Sequence, residues 1–223
     1  HVIFKNLSSS SNGSWELTGS LNFYESPVEF YKCTFLDNKK GDDLLNIIRS
    51  KFVIGSSLFK KTFADALDVD FSSGEIVNTS FVGCGTLGKN GDCVDVSGSS
   101  IRVKNLIFDK IADKALSVGE NSVVEGGDIH IKNSRIAVAS KDLSYVKIHN
   151  IKVDNSKVGF AVFQKKPEYG YSNLELINLK TGDIDEPYLV EIGSILTIEG
   201  EKIMPNSSHV RDLLYDSIPK TVN

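Results

Sequence analysis

The sequence predicts an all-β solenoid, a right-handed parallel β-helix with a short capping helix at the C-terminal end. Short apolar segments recur with a period near 22 residues along most of the chain. β-Branched and aromatic residues fill these segments, and helical periodicity is almost absent before residue 207. Strand units that repeat at this period bury their apolar sides by stacking as coils, about 4.8 Å apart.

The first strand of each coil begins with an apolar residue that we expect to face inward, and these leading residues are Leu21, Leu45, Leu67, Val94, Leu116, Ala137 and Ala161. A second inward series follows two residues later, at Phe23, Ile47, Val69, Val96, Val118, Ala139 and Phe163. The longest step between coils contains the glycine-rich run GTLGKNGD, which predicts a surface loop.

A further strand in each coil predicts an aromatic stack in the core. Its inward residues are Phe35, Phe59, Phe81, Phe108, Ile131 and Val153. The residues Asn78, Asn105, Asp128 and Asn150 precede this stack at one place in successive coils. Asn and Asp tolerate left-handed backbone, and stacked amides hydrogen-bond one another, so we interpret this column as structural.

Length and composition predict one domain over residues 1–223. The chain has 40% hydrophobic residues, enough for a substantial core. We expect residues 1–20 to form an N-terminal cap or first coil, residues 21–200 the coils, and residues 205–219 the capping helix. Ser207 or Ser208 is the expected N-cap, and Val210, Leu213, Leu214 and Ile218 form the apolar face. A partner-binding helix is the alternative.

Charge and hydropathy exclude two kinds of partner. The formal net charge is −4, with basic residues interspersed among acids, so nucleic acid is not an expected partner. No stretch approaches the roughly 20 apolar residues of a spanning helix, so no membrane span is expected. An upstream domain and a homo-oligomer both stay open.

The three cysteines are Cys33, Cys84 and Cys93. We expect all three to be small packing residues, since their number is too low for a disulfide scaffold in a chain of this length. A bridge between Cys84 and Cys93 is the alternative.

With the inward series fixed, the aspartates of the early coils fall on one exterior face. They are Asp43, Asp65, Asp68, Asp70, Asp92 and Asp95. Like charges about 5 Å apart repel by roughly 3 kcal/mol at an effective dielectric of 20. The cluster therefore needs raised pKa values, bound cations or neighbouring bases, for which Arg49, Lys114 and Lys141 are candidates.

Three interpretations of the cluster stay open. The aspartates accept hydrogen bonds from turns; or Asp68, Asp70 and Asp95 bind calcium, a hard cation that prefers carboxylate oxygens. The third is a catalytic set for glycosidic chemistry, drawn from Asp65, Asp68, Asp92 and Asp95, because adjacent coils provide carboxyl spacings that suit retaining hydrolysis. No cofactor is certain, and Ca²⁺ is the one considered.

In the late coils, the segment AVFQKKPEYGYSN at 161–173 combines lysines, tyrosines and a glutamine. Aromatic rings stack on apolar sugar faces, and Lys and Gln bind hydroxyls or carboxylates. Candidate substrate-binding residues are Arg49, Asp70, Lys114, Lys141, Gln164, Lys165 and Tyr169. A polar loop with buried tyrosines is the alternative for this segment.

The series DALDVDF, NTSF, GDCVDVSGSSIRVKNLIF and DKALSVGENS resembles the right-handed β-helix repeat proteins of the pectin-lyase-like superfamily, over roughly residues 15–200. The resemblance implies the solenoid, calcium on this face and a secreted, periplasmic or cell-surface location. The Gly-His-Gly and Arg-Ile-Lys motifs of polygalacturonase-like members and the Asp-Pro-His triplet of the epimerase-like members are absent.

The expected function is therefore the binding or processing of an extended extracellular or cell-envelope polysaccharide along one face, with binding favoured over catalysis. A glycoside hydrolase, polysaccharide lyase or epimerase that uses the clustered aspartates is the first alternative. A structural or adhesive surface module is the second, because one scaffold supports many functions.

Overall fold

A computed structural model of the chain, which describes residues 1–88 and 90–217, is a parallel β-solenoid of about eight turns with 64% of its residues in strands. The all-β solenoid predicted from the repeat is confirmed.

The early coils are built from short strands and the later ones from long strands that continue around the turns. The strands are β1 (Ile3–Lys5), β2 (Ser11–Asn12), β3 (Trp15–Glu16), β4 (Gly19–Tyr24), β5 (Val28–Tyr31), β6 (Thr34–Leu36), β7 (Asp43–Ile48), β8 (Lys51–Gly55), β9 (Leu58–Lys60), β10 (Asp65–Asp70), β11 (Ser73–Val82), β12 (Val94–Ser97), β13 (Ser100–Gly119), β14 (Val123–Lys141), β15 (Tyr145–Phe163), β16 (Asn173–Thr181), β17 (Ile184–Val190), β18 (Ile195–Ile198) and β19 (Glu201–Ile203).

The solenoid presents three lateral faces. The first face comprises β4, β7, β10 and β12 and continues along the C-terminal ends of β13, β14 and β15 to β17, all paired in parallel. The second face begins with β5 and β8, and the third with β1, β6 and β9. Only the β2–β3 and β18–β19 pairs are antiparallel among the described strands.

The aromatic stack predicted for the third face is confirmed and extended by one residue. Phe35, Phe59, Phe81 and Phe108 pair in register and are fully buried, with Ile131 and Val153 continuing the series. Phe4 from β1 stacks on Phe35 at the first end, with ring centroids 4.9 Å apart. The next three ring pairs have centroids 4.4 to 5.1 Å apart and nearly parallel planes. These rings therefore form a continuous part of the core.

Polar side chains hold successive turns together. Asn78, Asn105, Asp128 and Asn150 have φ values between 50° and 59°, and the Asn105 amide donates to Asn78 Oδ1 at 2.8 Å. A serine series was not predicted. In it the backbone N–H of one serine donates to the hydroxyl of the serine in the next coil, as Ser50 does to Ser72 and Ser99 does to Ser122. The Asn column is confirmed as structural.

The predicted inward series fails in the late coils by one residue. Leu116 pairs with Val138 and then Phe160, where we expected Ala137 and Ala161. The cause is a shift in pairing after Ile111, which aligns with Ser134, whereas Lys114 aligns with Ile136. Because a one-residue slip moves a side chain to the other side of a strand, Ala139 and Ala161 face outward here.

The cysteine expectation was wrong for two residues. Cys84 and Cys93 form a disulfide with Cα atoms 5.2 Å apart, which closes the glycine-rich insertion. Cys33 is a free, buried thiol, as expected. The bridge ties the long loop back to the start of β12.

The C-terminal helix is shorter than predicted and lies against the first face of the late coils. It comprises α1 (Val210–Asp212) and a π-helical turn over Leu213–Ser217, and its N-cap is His209 rather than Ser207 or Ser208. Val210 and Leu214 are buried against outward residues of the late coils, which are Ile136, Ala139, Val158, Ala161, Phe163 and Leu189. Ile218, the last residue of the expected apolar face, falls outside the described residues. No helix in the part of the chain described above has the length and apolar character needed to cross a membrane.

The aromatic stack yields the first prediction. Replacing Phe81 by Ala leaves a cavity between two rings, and we expect the free energy of unfolding to fall by about 3 to 5 kcal/mol. Ile107→Ala, at a position on the same face that is 45% exposed, is the control and should cost less than about 1 kcal/mol. Urea unfolding followed by circular dichroism measures both. Equal losses would contradict a core supported by the stack.

Candidate functional site

The predicted aspartate columns align on the first face of the early coils. Asp65 pairs with Asp43, and Asp68 pairs with Asn46 on one side and Asp95 on the other. Asp70 pairs with Ser97 in the same two strands. The six aspartates therefore form one cluster, defined by Asp43, Asp65, Asp68, Asp70, Asp92 and Asp95. Contrary to the expectation of a wholly exterior patch, Asp43 and Asp92 are buried.

Asn46 is the central donor of one half of the cluster. Its Nδ2 lies 3.2 Å from Asp43 Oδ2, 3.2 Å from Asp68 Oδ2 and 3.4 Å from Asp70 Oδ2. One amide nitrogen thus faces three carboxyl groups, more acceptors than its two hydrogens can serve. At least one of these carboxyls is stabilised in its protonated form, which can donate in turn.

The other half of the cluster is joined to two bases. Asp65 Oδ1 accepts from the Asp92 backbone N–H at 2.7 Å, and Asp92 Oδ1 accepts from Lys114 Nζ at 3.2 Å. Lys114 Nζ also donates to Asp113 Oδ2 at 2.5 Å, and Asp113 Oδ1 accepts from Arg135 Nη1 at 2.6 Å. This alternation of acids and bases balances the buried charge.

The C-terminal helix covers the end of this chain of ion pairs. Arg135 Nη2 donates to the Leu214 backbone carbonyl, and the Tyr215 ring lies 5.7 Å from Lys114 Nζ and 5.6 Å from Lys165 Nζ. Cations over an aromatic face are stabilised by its quadrupole. The late coils are therefore closed by the helix, and the accessible part of the cluster lies over the early coils.

Burial raises the pKa of most of the clustered aspartates. It raises the pKa of Asp43 to about 7 and that of Asp68 to about 10, with Asp42 and Asp43, respectively, among the neighbouring charges that add to the effect. Burial and the charges of Asp92 and Asp95 raise the pKa of Asp65 well above its ordinary value. The pKa of Asp70 is raised by burial as well. Protonation thus removes much of the repulsion expected from the sequence.

Asp92 and Asp95 remain ionised near pH 7. Burial raises the pKa of Asp92 to about 6 against the attraction of Lys114. Burial also acts to raise the pKa of Asp95, but Lys141, Lys114 and a hydrogen bond from Ser117 hold it below its ordinary value. Asp68 and Asp95 are therefore register partners with opposite protonation states at neutral pH.

The structure gives Lys114 and Lys141 an internal role, although both were candidates for substrate binding. Each is only 4% to 5% exposed. Lys141 Nζ donates to Ser117 Oγ at 2.8 Å and lies 3.8 Å from Asp95 Oδ1. These two lysines provide the compensating charge that the sequence required.

Arg49, the third expected base, points away from the cluster. Its Nη1 lies 3.8 Å from Glu25 Oε1 and 3.4 Å from the Tyr24 hydroxyl, and its side chain is 59% exposed. The reason is its left-handed backbone, with φ of 50°, which places it in the turn after β7.

The late-coil loop is organised by internal contacts. The Gln164 side-chain amide donates to the backbone carbonyl of Tyr169, and the backbone N–H groups of Lys165 and Lys166 donate to Asp142 Oδ1 at 2.6 and 2.7 Å. Tyr169 is half-buried. Gln164 therefore shapes the loop, whereas Lys165 faces Tyr215.

Among the described residues, Asp65, Asp92 and Asp95 are the group whose carboxylate oxygens converge enough to share a metal ion, all within 4.8 Å of one another. This set shares only Asp95 with the predicted calcium ligands Asp68, Asp70 and Asp95. Asp68 and Asp70 instead lie around Asn46.

Sequence reasoning missed three residues of the site. Asn46 stood in the outward column but was not assigned a role, although its place between Gly19-coil and Asp68-coil residues gave the signal. Asp113 is adjacent to Lys114 in sequence, and this acid–base pair was the available clue to the ion-pair chain. Tyr215 carried no signal, because its contact depends on where the helix docks.

Comparisons with known proteins give little further information. No protein-family model matches the chain, and no curated protein matches it. Two solved structures are similar, both catalytic domains of a GH87 alpha-1,3-glucanase. The complex with nigerose has 10% identity, a TM-score of 0.39 and coverage of 77% of this chain and 47% of that one. An alanine variant in complex with tetrasaccharides has 12% identity, a TM-score of 0.39 and coverage of 79% and 49%. The chain thus spans about half the length of these structures.

The raised carboxyl pKa values predict a stability that falls as pH rises. Asp43 and Asp92 bind protons in the folded protein at pH values where the unfolded chain, with an ordinary pKa of 3.8, has lost them. The free energy of unfolding should therefore decrease between about pH 4 and pH 7. The lowered pKa values of Asp95 and Asp113 act only below this window.

Asp43→Asn isolates the effect. It should raise the free energy of unfolding at pH 8, by on the order of 3 kcal/mol, and flatten its pH dependence. Asp185→Asn, at a side chain that is 70% exposed, is the control and should change neither. Denaturant titrations between pH 4 and 8 measure both variants. A wild-type stability that rises across this range would contradict the protonated cluster.

Proposed function

We propose that the first face of the early coils binds an extended polysaccharide and that Asp68 and Asp95 cleave its glycosidic bonds. The observation that carries this proposal is the opposite protonation of these two register partners. Asp68 retains its proton because of burial and neighbouring acids, and Asp95 is ionised beside Lys141. Pairs of carboxyls whose environments push their pKa values apart are typical of acid and nucleophile roles.

The spacing of the pair supports a retaining reaction. Neighbouring parallel strands lie about 4.8 Å apart, close to the roughly 5 Å that separates the two carboxyls of retaining glycosidases. Asp68 donates its proton to the glycosidic oxygen as the bond to the leaving sugar breaks, and Asp95 bonds to the anomeric carbon. Water then hydrolyses the glycosyl ester, and Asp68 recovers its proton from that water.

The neighbouring residues have supporting roles in this proposal. A hydrogen bond from Asp68 lowers the pKa of Asp70, against the larger effect of burial, so these two carboxyls are coupled. Lys141 holds Asp95 in its ionised form. Asp70, Lys165 and Tyr169 are the residues that we propose contact the sugar chain outside the reacting bond. An extracellular, periplasmic or cell-surface location is part of the same proposal.

The catalytic proposal is tested by two isosteric variants. Asp68→Asn and Asp95→Asn should each lower the release of reducing ends from a susceptible polysaccharide by at least about 100-fold, because each removes one of the two groups that act on the bond. Panels of α- and β-linked polysaccharides, screened first with the wild-type protein, provide the substrate.

Asp128→Asn is the matched control, since Asp128 is an exposed turn residue with φ of 59° that Asn accommodates. Its activity should equal that of the wild type. Full activity in Asp68→Asn and Asp95→Asn would assign catalysis elsewhere. Glycan binding without any turnover in the wild type would leave a binding module, and neither binding nor turnover would favour a structural surface module.

A calcium role is the second proposal, supported by the convergence of Asp65, Asp92 and Asp95 within 4.8 Å. Carboxylate oxygens are the ligands that Ca²⁺ prefers. The ion would compete for Asp92 with the Lys114 ammonium group and for Asp65 with the proton favoured by its raised pKa. Calcium would bind such a site more tightly as the pH rises.

Calcium binding predicts a thermal midpoint at pH 8 that rises on adding millimolar Ca²⁺ and falls on adding chelator. Asp65→Asn should abolish this response, and Asp185→Asn should retain it. Differential scanning calorimetry measures the midpoints. A wild-type midpoint that is indifferent to both calcium and chelator would exclude the metal site.

A further inference from the structure

A cleft of about 450 Å³ lies at the corner between the first and second faces of the early coils. Phe71, the residue immediately after Asp70, lies in it with 58% of its surface exposed. Serines of the serine series, Ser50, Ser72 and Ser99, form part of its lining. The cleft is therefore continuous with the aspartate cluster through the Asp70–Phe71 peptide.

Phe71 stands at this corner against two physical preferences. Its φ of 50° is in the left-handed region, which bulky residues rarely adopt and which Asn and Asp tolerate better. Its ring is also largely exposed, although aromatic side chains generally gain from burial. Fold stability alone does not account for a phenylalanine here, and strain of this kind concentrates at binding sites.

The next coil makes room for the ring. Gly98 follows Ser97, the register partner of Asp70, and a Cβ placed on Gly98 would lie 2.6 Å from Phe71 Cδ1. No side chain therefore fits between the ring and the backbone of that coil. The glycine supports one side of the ring and leaves the rest to the solvent.

The charges around the ring have one sign. Arg49 and Lys51 are the charged residues that line the cleft, and Asn121 adds an amide. The only ion pair of Arg49 recorded in the described part of the chain is the long contact to Glu25 at 3.8 Å, between exposed side chains. Such a pair is weak and leaves the guanidinium able to bind an anion.

From this combination we infer that Phe71 and Gly98 form a stacking platform for a pyranose ring whose anionic substituent is bound by Arg49 and Lys51. The apolar face of the sugar packs on the exposed Phe71 ring, and its carboxylate or sulfate accepts hydrogen bonds from the two bases. This inference deepens the proposed function, on which it rests for the sugar chain crossing the aspartate cluster. It assigns that chain an acidic residue at the corner.

The test uses Phe71→Asn, because asparagine tolerates the left-handed backbone and removes the platform. Binding of the wild-type and variant proteins to an array of anionic oligosaccharides, such as galacturonate and sulfated oligomers, and neutral glucose oligomers is measured, followed by calorimetric titration of the best anionic ligand. Phe71→Asn should weaken that affinity about tenfold or more, while its thermal midpoint stays equal or rises. Gly98→Ala should weaken binding as well, by displacing the ring.

Leu143→Asn is the matched control. Leu143 is also an exposed apolar residue with a left-handed backbone, at φ of 64° and 50% exposure, but it lies farther along the solenoid. Its substitution should leave the affinity unchanged. Unchanged affinity in Phe71→Asn, or a wild-type protein that binds none of the anionic glycans, would overturn the inference.

The same variants separate this inference from the catalytic proposal. Asp95→Asn should bind the anionic ligand as the wild type does, even where it has lost turnover. Turnover that depends on Asp95 but binding that ignores Phe71 would refute the platform alone. Binding that requires Phe71 in a wild-type protein that cleaves nothing would refute the hydrolase alone.

Discussion

In-register parallel stacking of coils is the constraint on which the rest of the structure depends. Each residue lies directly over its counterpart in the next coil, so like side chains accumulate in columns. For apolar residues this produces the stacked phenylalanines of the third face. For aspartates the same rule brings Asp68 against Asp95 and Asp65 against Asp43, a proximity that repulsion would otherwise prevent.

The protein accommodates this crowding by dividing the cluster into two kinds of environment. Around Asn46, which lies among Asp43, Asp68 and Asp70, burial favours protonated carboxyls. Beside Lys114 and Lys141, the carboxyls stay charged and are paired. The boundary between the two environments falls between Asp68 and Asp95, so the reactive asymmetry that we propose is a consequence of where the lysines enter the solenoid.

The repeat period was sufficient to predict the fold, the phenylalanine series and the alignment of the early aspartates, because these depend only on counting along the chain. It was not sufficient beyond Ile111, where a local change in pairing moved Ala137 and Ala161 out of the inward series. It also did not reveal how deeply Lys114 and Arg135 are buried. Their burial depends on a helix more than 70 residues away in sequence, and nothing in the local pattern encodes where that helix docks.

The contact between Arg135 and the Leu214 carbonyl links the middle of the chain to its C-terminal part. During synthesis the ribosome releases the coils that carry Asp113 and Arg135 well before residue 214 emerges. Until then this ion pair is bathed in water, and the charges next to Asp92 are screened. Desolvation of the site is accordingly one of the last events of folding, so a nascent chain holds a formed solenoid before it holds a finished electrostatic environment.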